Sequence, residues 1–181
     1  MTATAELAEL LHSRHTTDEP TIPSAAVAES VATLLGEIRQ AAPVSAQGGG
    51  DDPALGWETA EMDDAPVSMV ISGPAYADNP IWYVNDTFER LTGYDEGDVL
   101  GENLRLLQGP ETAADAVADL REAVDIWEAT VVELDNYRAD GSRFRNRVAL
   151  APIPDATGTI SNWVGLQEER PVDDEAGVAS N

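Results

Sequence analysis

The stretch TVVELDNYRADGSRFRNRVALAP, residues 130–152, decides the fold of this 181-residue chain. In residues 130–137 and 144–152, apolar and polar side chains alternate, which is typical of half-buried β-strands. Between these two runs stands Ala-Asp-Gly at 139–141, a turn sequence. The stretch therefore predicts two antiparallel strands joined as a hairpin.

Further elements are predicted on both sides of this hairpin. Residues 159–168 form a third strand-like run, residues 67–72 and 81–85 form two shorter ones, and residues 87–124 read as helical. The order is two strands, several short helices and three strands. We therefore expect an α+β domain in which a five-stranded antiparallel sheet has short helices across one face.

Strand alternation predicts which side chains the helices cover. If the apolar positions point inward, three carboxamides share that face with Val, Leu, Phe and Trp side chains: Asn136, Asn146 and Gln167. An unpaired amide in an apolar site costs about 1–3 kcal/mol. Each amide could bond to nearby backbone or solvent near a strand end. Alternatively, a planar heterocycle with alternating donors and acceptors, such as the pyrimidine edge of a flavin, would satisfy all three.

The segment GENLRLLQGPET, residues 101–112, is expected to lie across from these amides. Within it, Asn103 and Gln108 could contact a polyol chain, and the forked guanidinium of Arg105 suits a phosphate. Arg121, on the following helix, could bind the same phosphate. The two elements together predict a site for an anionic ligand with a planar ring.

Several segments of the chain resemble the light-oxygen-voltage (LOV) branch of the PAS domains, over residues 69–168. GENLRLLQGPET resembles the LOV signature GxNCRFLQG. The other matching segments are DNPI at 78–81, YVNDTFERLTGY at 83–94, NYRADGSRFRN at 136–146 and GLQ at 165–167. A match of this length with intact spacing is specific.

The LOV resemblance implies a PAS fold with FMN between the helices and the sheet. It implies that the isoalloxazine ring contacts Asn136, Asn146 and Gln167. It also implies that Asn103 and Gln108 bind the ribityl chain, and that Arg105 and Arg121 bind the phosphate.

Leu104 stands where the LOV signature has the cysteine that bonds covalently to flavin C4a in blue light. The chain has no cysteine at all, so this adduct is excluded. We expect signalling by photoreduction of FMN to the neutral semiquinone, which turns N5 from acceptor to donor and makes Gln167 rotate its amide. Candidate electron donors are Trp82, Tyr83, Trp127, Tyr137 and Trp163.

Two alternatives stay open at this point: a flavin redox sensor that does not respond to light, and a PAS interaction module without cofactor. The sequence has neither a G-x-G-x-x-G motif nor a recognisable acid–base constellation, so we do not expect an enzyme. We predict no metal site.

The domain is expected to span residues 57–170, with a helical extension at 1–42, a flexible linker at 43–56 that contains three consecutive glycines at 48–50, and a disordered acidic tail at 171–181. The extension has an apolar stripe at helical spacing, formed by Val27, Val31, Leu34, Leu35 and Ile38. The stripe could pack on the domain or on Leu7, Leu10 and Leu11, or it could form a homodimer. Output is expected through these helices or dimerisation, to an unknown partner protein in trans.

The composition is strongly acidic, with 34 Asp and Glu against 10 basic residues and a net charge of −24. All basic residues are Arg, which with the carboxylate excess suits concentrated salt, so we expect a cytoplasmic, haloarchaeal protein. Such a charge disfavours nucleic acid and membranes as partners, and there is no long apolar run or signal peptide. On the outer face of the predicted sheet, Arg143, Arg145 and Arg147 should pair with surface carboxylates or dock an acidic helix.

Overall fold

The computed structural model describes residues 3–12, 24–41, 60–154 and 157–171. Its helices are α1 (Ala3–His12), α2 (Ala25–Ala41), α3 (Ala60–Asp63), α4 (Asp86–Thr92), α5 (Glu96–Val99) and α6 (Ala114–Ile126), with 3-10 turns at Ala75–Ala77 and Leu104–Leu107. Its strands are β1 (Ser68–Ser72), β2 (Ile81–Val84), β3 (Thr130–Tyr137), β4 (Arg143–Pro154) and β5 (Ile160–Arg170). The predicted linker lies outside the described residues, as does the predicted tail beyond Pro171.

The five strands form one sheet in the order β2-β1-β5-β4-β3, and every neighbouring pair is antiparallel. The predicted α+β fold with a five-stranded antiparallel sheet is confirmed, and each predicted strand lies within two residues of its expected bounds. The predicted helical stretch is divided into α4, α5, a 3-10 turn and α6. β5 occupies the centre of the sheet. One of its faces points to the helices between β2 and β3, and the other points to α1 and α2.

The inner face of the sheet is covered by α4, α5, α6 and the 3-10 turn at Leu104–Leu107. Against α6, a small cluster forms around Ala116, Val132, Leu134 and Val148. A second cluster lies under the shorter helices and contains Val70, Ile81, Val84, Phe88, Val99 and Leu107. The predicted inward parity of the strands is therefore the one observed.

The outer face of the sheet is covered by α1 and α2. Ser24 caps α2, because its Oγ accepts a hydrogen bond from the Val27 N–H at 3.3 Å. The α2 stripe is buried through Val31 and Leu35, both 0% exposed, in one cluster with sheet residues such as Leu166. The same cluster includes Leu7 and Leu11 of α1. Of the two predicted destinations for the stripe, packing within the chain is observed.

Asn85 fixes the path of the chain from α3 into β1. Its side-chain Oδ1 accepts hydrogen bonds from the backbone N–H groups of Met69 at 2.9 Å and Phe88 at 3.1 Å. Its Nδ2 donates to the carbonyls of Met62 and Val67, both at 2.9 Å. One buried side chain thus holds three backbone segments together, a role that no pattern in the sequence predicts.

The arginine stripe of β4 pairs with carboxylates of the same domain. Arg147 lies 3.1 Å from Glu133, and Arg145 lies 3.4 Å from Asp135, both across the β3–β4 pair. Arg143 lies 3.9 Å from Glu111. The first of the two predicted roles, pairing with surface carboxylates, is therefore the one observed.

Candidate ligand-binding site

A cavity of about 330 Å³ lies between the inner face of the sheet, α6 and the 3-10 turn at Leu104–Leu107. Pockets for small molecules and cofactors typically measure about 300–1,000 Å³ and are mostly apolar with a few polar groups. The apolar wall consists of Leu104, Leu107, Val117, Leu120, Val124, Leu134, Val148, Leu150 and Trp163. The size and lining therefore suit a flat, largely apolar ligand.

The structure brings most of the predicted site residues to this cavity. The predicted residues that line it are Asn103, Leu104, Arg105, Gln108, Arg121, Asn136 and Gln167. Asn146, which was also predicted, does not line it, and its side chain is hydrogen-bonded to that of Asn136. Residues that line the cavity without having been predicted as ligands include Asp78, Asn79 and Asp125.

Asn136 and Asn146 form a hydrogen-bonded pair across β3 and β4. The Nδ2 of Asn146 donates to Oδ1 of Asn136 at 2.9 Å, and both side chains are buried. The Nδ2 of Asn136 makes only a long bond, 3.3 Å, to the carbonyl of Asp135. Asn146 thereby fixes the orientation of the Asn136 amide toward the cavity.

Two buried amide oxygens of the predicted site have no hydrogen-bond partner within the described part of the chain. They are Oδ1 of Asn146 and Oε1 of Gln167, whose side chains are 0% and 2% exposed. A buried acceptor left unpaired costs about 1–3 kcal/mol, and buried polar groups are normally paired. Neither oxygen has a donor among the described residues, and the oxygen of Gln167, a residue that lines the cavity, can accept a hydrogen bond from an N–H group of a bound ring.

The mouth of the cavity is held by an ion pair between Arg105 and Asp78. The guanidinium of Arg105 engages both carboxylate oxygens of Asp78, with its Nη1 at 3.0 Å from Oδ1. This hydrogen-bonded partner lowers the pKa of Asp78 below its ordinary value. Asn103 supports the pair, because its Nδ2 donates to the Asp78 carbonyl at 2.7 Å.

Arg105 therefore has a carboxylate partner at the position where the resemblance implies a phosphate. Asp78 was not among the predicted site residues, although it stands in the DNPI segment at 78–81. A phosphate would share or replace this carboxylate on Arg105. Arg121 also lines the cavity, near Asp125, and is exposed to solvent.

Of the five aromatic residues considered as electron donors, Trp163 on β5 lines the cavity, and its side chain is buried. Trp127 is 66% exposed at the end of α6. The hydroxyl of Tyr83 donates to Asp63 at 2.6 Å, and Tyr83 belongs to the cluster on the outer face. The structure therefore singles out Trp163.

The chain is thus an α+β domain with a five-stranded antiparallel sheet, short helices across its inner face and a cavity between them. The model of the PAS domain family matches residues 66–169, more than half of the chain. The chain belongs to the PAS domain family.

Within that family, the chain is similar to LOV proteins. It is 46% identical over 106 residues to the bacterioopsin transcriptional activator of Halobacterium salinarum, and 39% identical over 103 residues to the blue-light photoreceptor of Listeria monocytogenes. A solved structure from work on the light-oxygen-voltage domain mechanism with a flavin analogue is 44% identical. It aligns with a TM-score of 0.58 and covers 60% of this chain and 80% of that chain.

The match to the curated relatives is limited to one segment of each. The aligned region covers 59% of this chain but 16% of the Halobacterium protein, and 57% of this chain but 40% of the Listeria protein. The chain therefore spans less than half the length of either relative.

Proposed function

We propose that the chain is a flavin-binding LOV-type photoreceptor domain that holds FMN and senses blue light without a covalent bond to a thiol. The observation that supports it best is the buried, unpartnered amide oxygen of Gln167 in the wall of a cavity of suitable size. The LOV relatives support the same cofactor.

In this proposal, each predicted site residue has a defined role. Asn136, oriented by Asn146, and Gln167 hold the polar edge of the flavin ring. Asn103 and Gln108 hold the ribityl chain, and Arg105 and Arg121 hold the phosphate. When bound, FMN supplies blue-light absorption and accepts an electron and a proton.

Leu104 and the absence of cysteine set the mechanism apart from the usual LOV photocycle. Leu104 lines the cavity and offers no nucleophile. Trp163 supplies an oxidisable indole in the cavity wall. Gln167 responds to the protonation state of its ligand, because a side-chain amide turned by half a turn exchanges its donor and its acceptor.

The centre of the sheet connects this response with the helical extension. Along β5, Trp163 and Gln167 line the cavity, whereas Val164 and Leu166 belong to the cluster shared with α2. A shift of β5 driven by Gln167 therefore acts on the contact surface of α2. We propose that altered docking of α1 and α2, or homodimerisation, is the output, delivered to a partner protein in trans.

An absorption spectrum tests the cofactor and the photochemistry together. The purified protein, reconstituted with FMN, should show the blue band of oxidised flavin and lose it under blue light with an electron donor such as EDTA. Trp163→Phe should slow this loss, whereas Trp127→Phe, at an exposed site, should not. After denaturation all flavin should be released, as no covalent bond forms.

The other outcomes of this experiment separate the alternatives. A protein that takes up no FMN would be a cofactor-free interaction module. A protein that binds FMN but loses the blue band only with a chemical reductant such as dithionite would be a redox sensor.

We further propose a non-enzymatic, cytoplasmic protein of a halophile. Its net charge of −24 favours a protein partner over nucleic acid, although the Halobacterium relative is a transcriptional activator. Among the described residues, no helix combines the length and apolar character needed to cross a membrane. Electrophoretic mobility shift with duplex DNA and binding assays with candidate proteins would separate the two kinds of partner.

A further inference from the structure

A third buried oxygen without a partner lies next to Gln167. It is Oγ of Ser68, whose side chain is 1% exposed and has no hydrogen-bond partner within the described residues. Ser68 on β1 stands directly opposite Gln167 on β5 in the antiparallel register. Opposed residues in such a pair project from the same face with their Cβ atoms about 4.5–5.5 Å apart.

The two groups are chemically complementary. The Ser68 hydroxyl is a donor, and the buried Oε1 of Gln167 is an acceptor, so a rotamer change of either side chain would join them. A hydroxyl can also accept, so it can pair equally with the amide nitrogen after Gln167 has turned. Ser68 thus offers a partner to Gln167 in both orientations of the amide, with the direction of the hydrogen bond reversed.

The backbone on either side of Ser68 is held by Asn85. The Val67 carbonyl and the Met69 N–H both bond to the Asn85 side chain, which also bonds to the Met62 carbonyl. A change in the Ser68 hydrogen bond therefore acts on a segment that is fixed on both sides. This segment, residues 62–69, leads from α3 into β1.

We infer that Ser68 is a positioning residue that pairs with the Gln167 amide and passes its orientation to residues 62–69. This inference rests on the proposed function, in which Gln167 responds to the state of FMN. A change in the state of FMN would then alter the structure at the start of β1, in addition to the contact between β5 and α2.

The contact can be tested in the dark by a double-mutant cycle of thermal unfolding on the full chain, with Ser68→Ala, Gln167→Leu and the double variant. With Gln167 present, Ser68→Ala should lower Tm by about 2–4 °C. In the Gln167→Leu background, the same substitution should leave Tm unchanged or raise it, because the hydroxyl then faces an apolar side chain. Equal shifts in the two backgrounds would overturn the inference.

The transmission can be tested by hydrogen exchange of residues 60–69 in the FMN-loaded protein before and after blue light. Wild type and Ser68→Thr, which retains the hydroxyl, should change exchange by about fivefold or more, and Ser68→Ala by less than about twofold. All three should lose the blue band at similar rates. An unchanged response in Ser68→Ala would contradict the transmission role.

Failure of the proposed function gives a different pattern. A wild-type protein that binds no FMN, or does not bleach, would refute the proposed function, and the dark cycle would still decide whether Ser68 and Gln167 interact.

Discussion

Replacing both buried asparagines of the candidate site by leucine should weaken FMN binding while leaving the fold intact. Asn136 and Asn146 bond to each other at 2.9 Å, and Oδ1 of Asn146 has no partner in the described part of the chain. The double variant Asn136→Leu with Asn146→Leu removes both members of the pair and the unpaired oxygen, and it keeps the number of side-chain heavy atoms the same. Such an exchange of both partners for apolar groups is close to neutral for stability, and the surroundings, Leu134 and Val148, are apolar.

The expected loss of affinity follows from the hydrogen bonds. If Asn136, oriented by Asn146, contributes one bond to FMN at about 0.5–1.5 kcal/mol, its loss raises Kd about 2- to 13-fold. Without FMN, the free energy of unfolding should stay within about 1 kcal/mol of wild type. Quenching of flavin fluorescence on binding gives Kd, and urea unfolding of the FMN-free protein gives stability.

A matched control comes from Asn162 on β5, which is also fully buried but does not line the cavity. Its Nδ2 donates to the Ser72 carbonyl at 3.1 Å. Asn162→Leu should lower stability by about 1–3 kcal/mol, because it removes a buried hydrogen bond on one side only, with little change in Kd for FMN. An unchanged Kd in the double variant would refute the assignment of the two amides to the ligand.

Three further predictions concern packing, pH and the loop before α6. Leu35→Ala on α2, at a side chain 0% exposed, should lower the free energy of unfolding by about 2–5 kcal/mol in urea titrations, and the partly buried Leu34→Ala should cost clearly less. Burial and the nearby Glu89, Asp63 and Asp86 raise the pKa of Glu96 above its ordinary value of 4.5, so protonation of Glu96 favours the folded state. Glu96→Gln should therefore raise Tm at pH 7, and the gain should disappear as the pH falls below 4.5; a gain of equal size at low pH would contradict the charge argument. Gly109→Ala would force a Cβ against the Tyr137 ring and disturb the 2.9 Å hydrogen bond from the Glu111 N–H to the Tyr137 hydroxyl, so Tm should fall. The control Gly97→Ala, at a position with open space, should not lower Tm by steric conflict.

The sequence predicted those parts of the fold that depend on local periodicity. Strand alternation placed Asn136 and Asn146 on the covered face, and both are buried there. The helical spacing of Val31 and Leu35 predicted one apolar stripe, and both residues are buried. These predictions succeeded because a period of two or of 3.6 residues determines which side chains share a face.

Contacts between residues far apart in the chain could not be predicted in this way. Asp78 and Arg105 pair only because the 3-10 turn at Ala75–Ala77 brings a left-handed Asp78 beside the loop that contains Arg105. The four hydrogen bonds of the Asn85 side chain link segments that no periodic pattern connects. Likewise, the apolar stripe of α2 did not indicate whether its partner was the sheet or a second chain.

The central position of β5 has a consequence for protein engineering. A reporter or effector fused after Pro171 would be tied to the middle strand of the sheet, not to an edge strand that can peel away. Under the proposed function, a shift of β5 would reach such a fusion directly through its connecting peptide. The length and stiffness of that peptide would then be the first variables to adjust in a device built on the proposed light response.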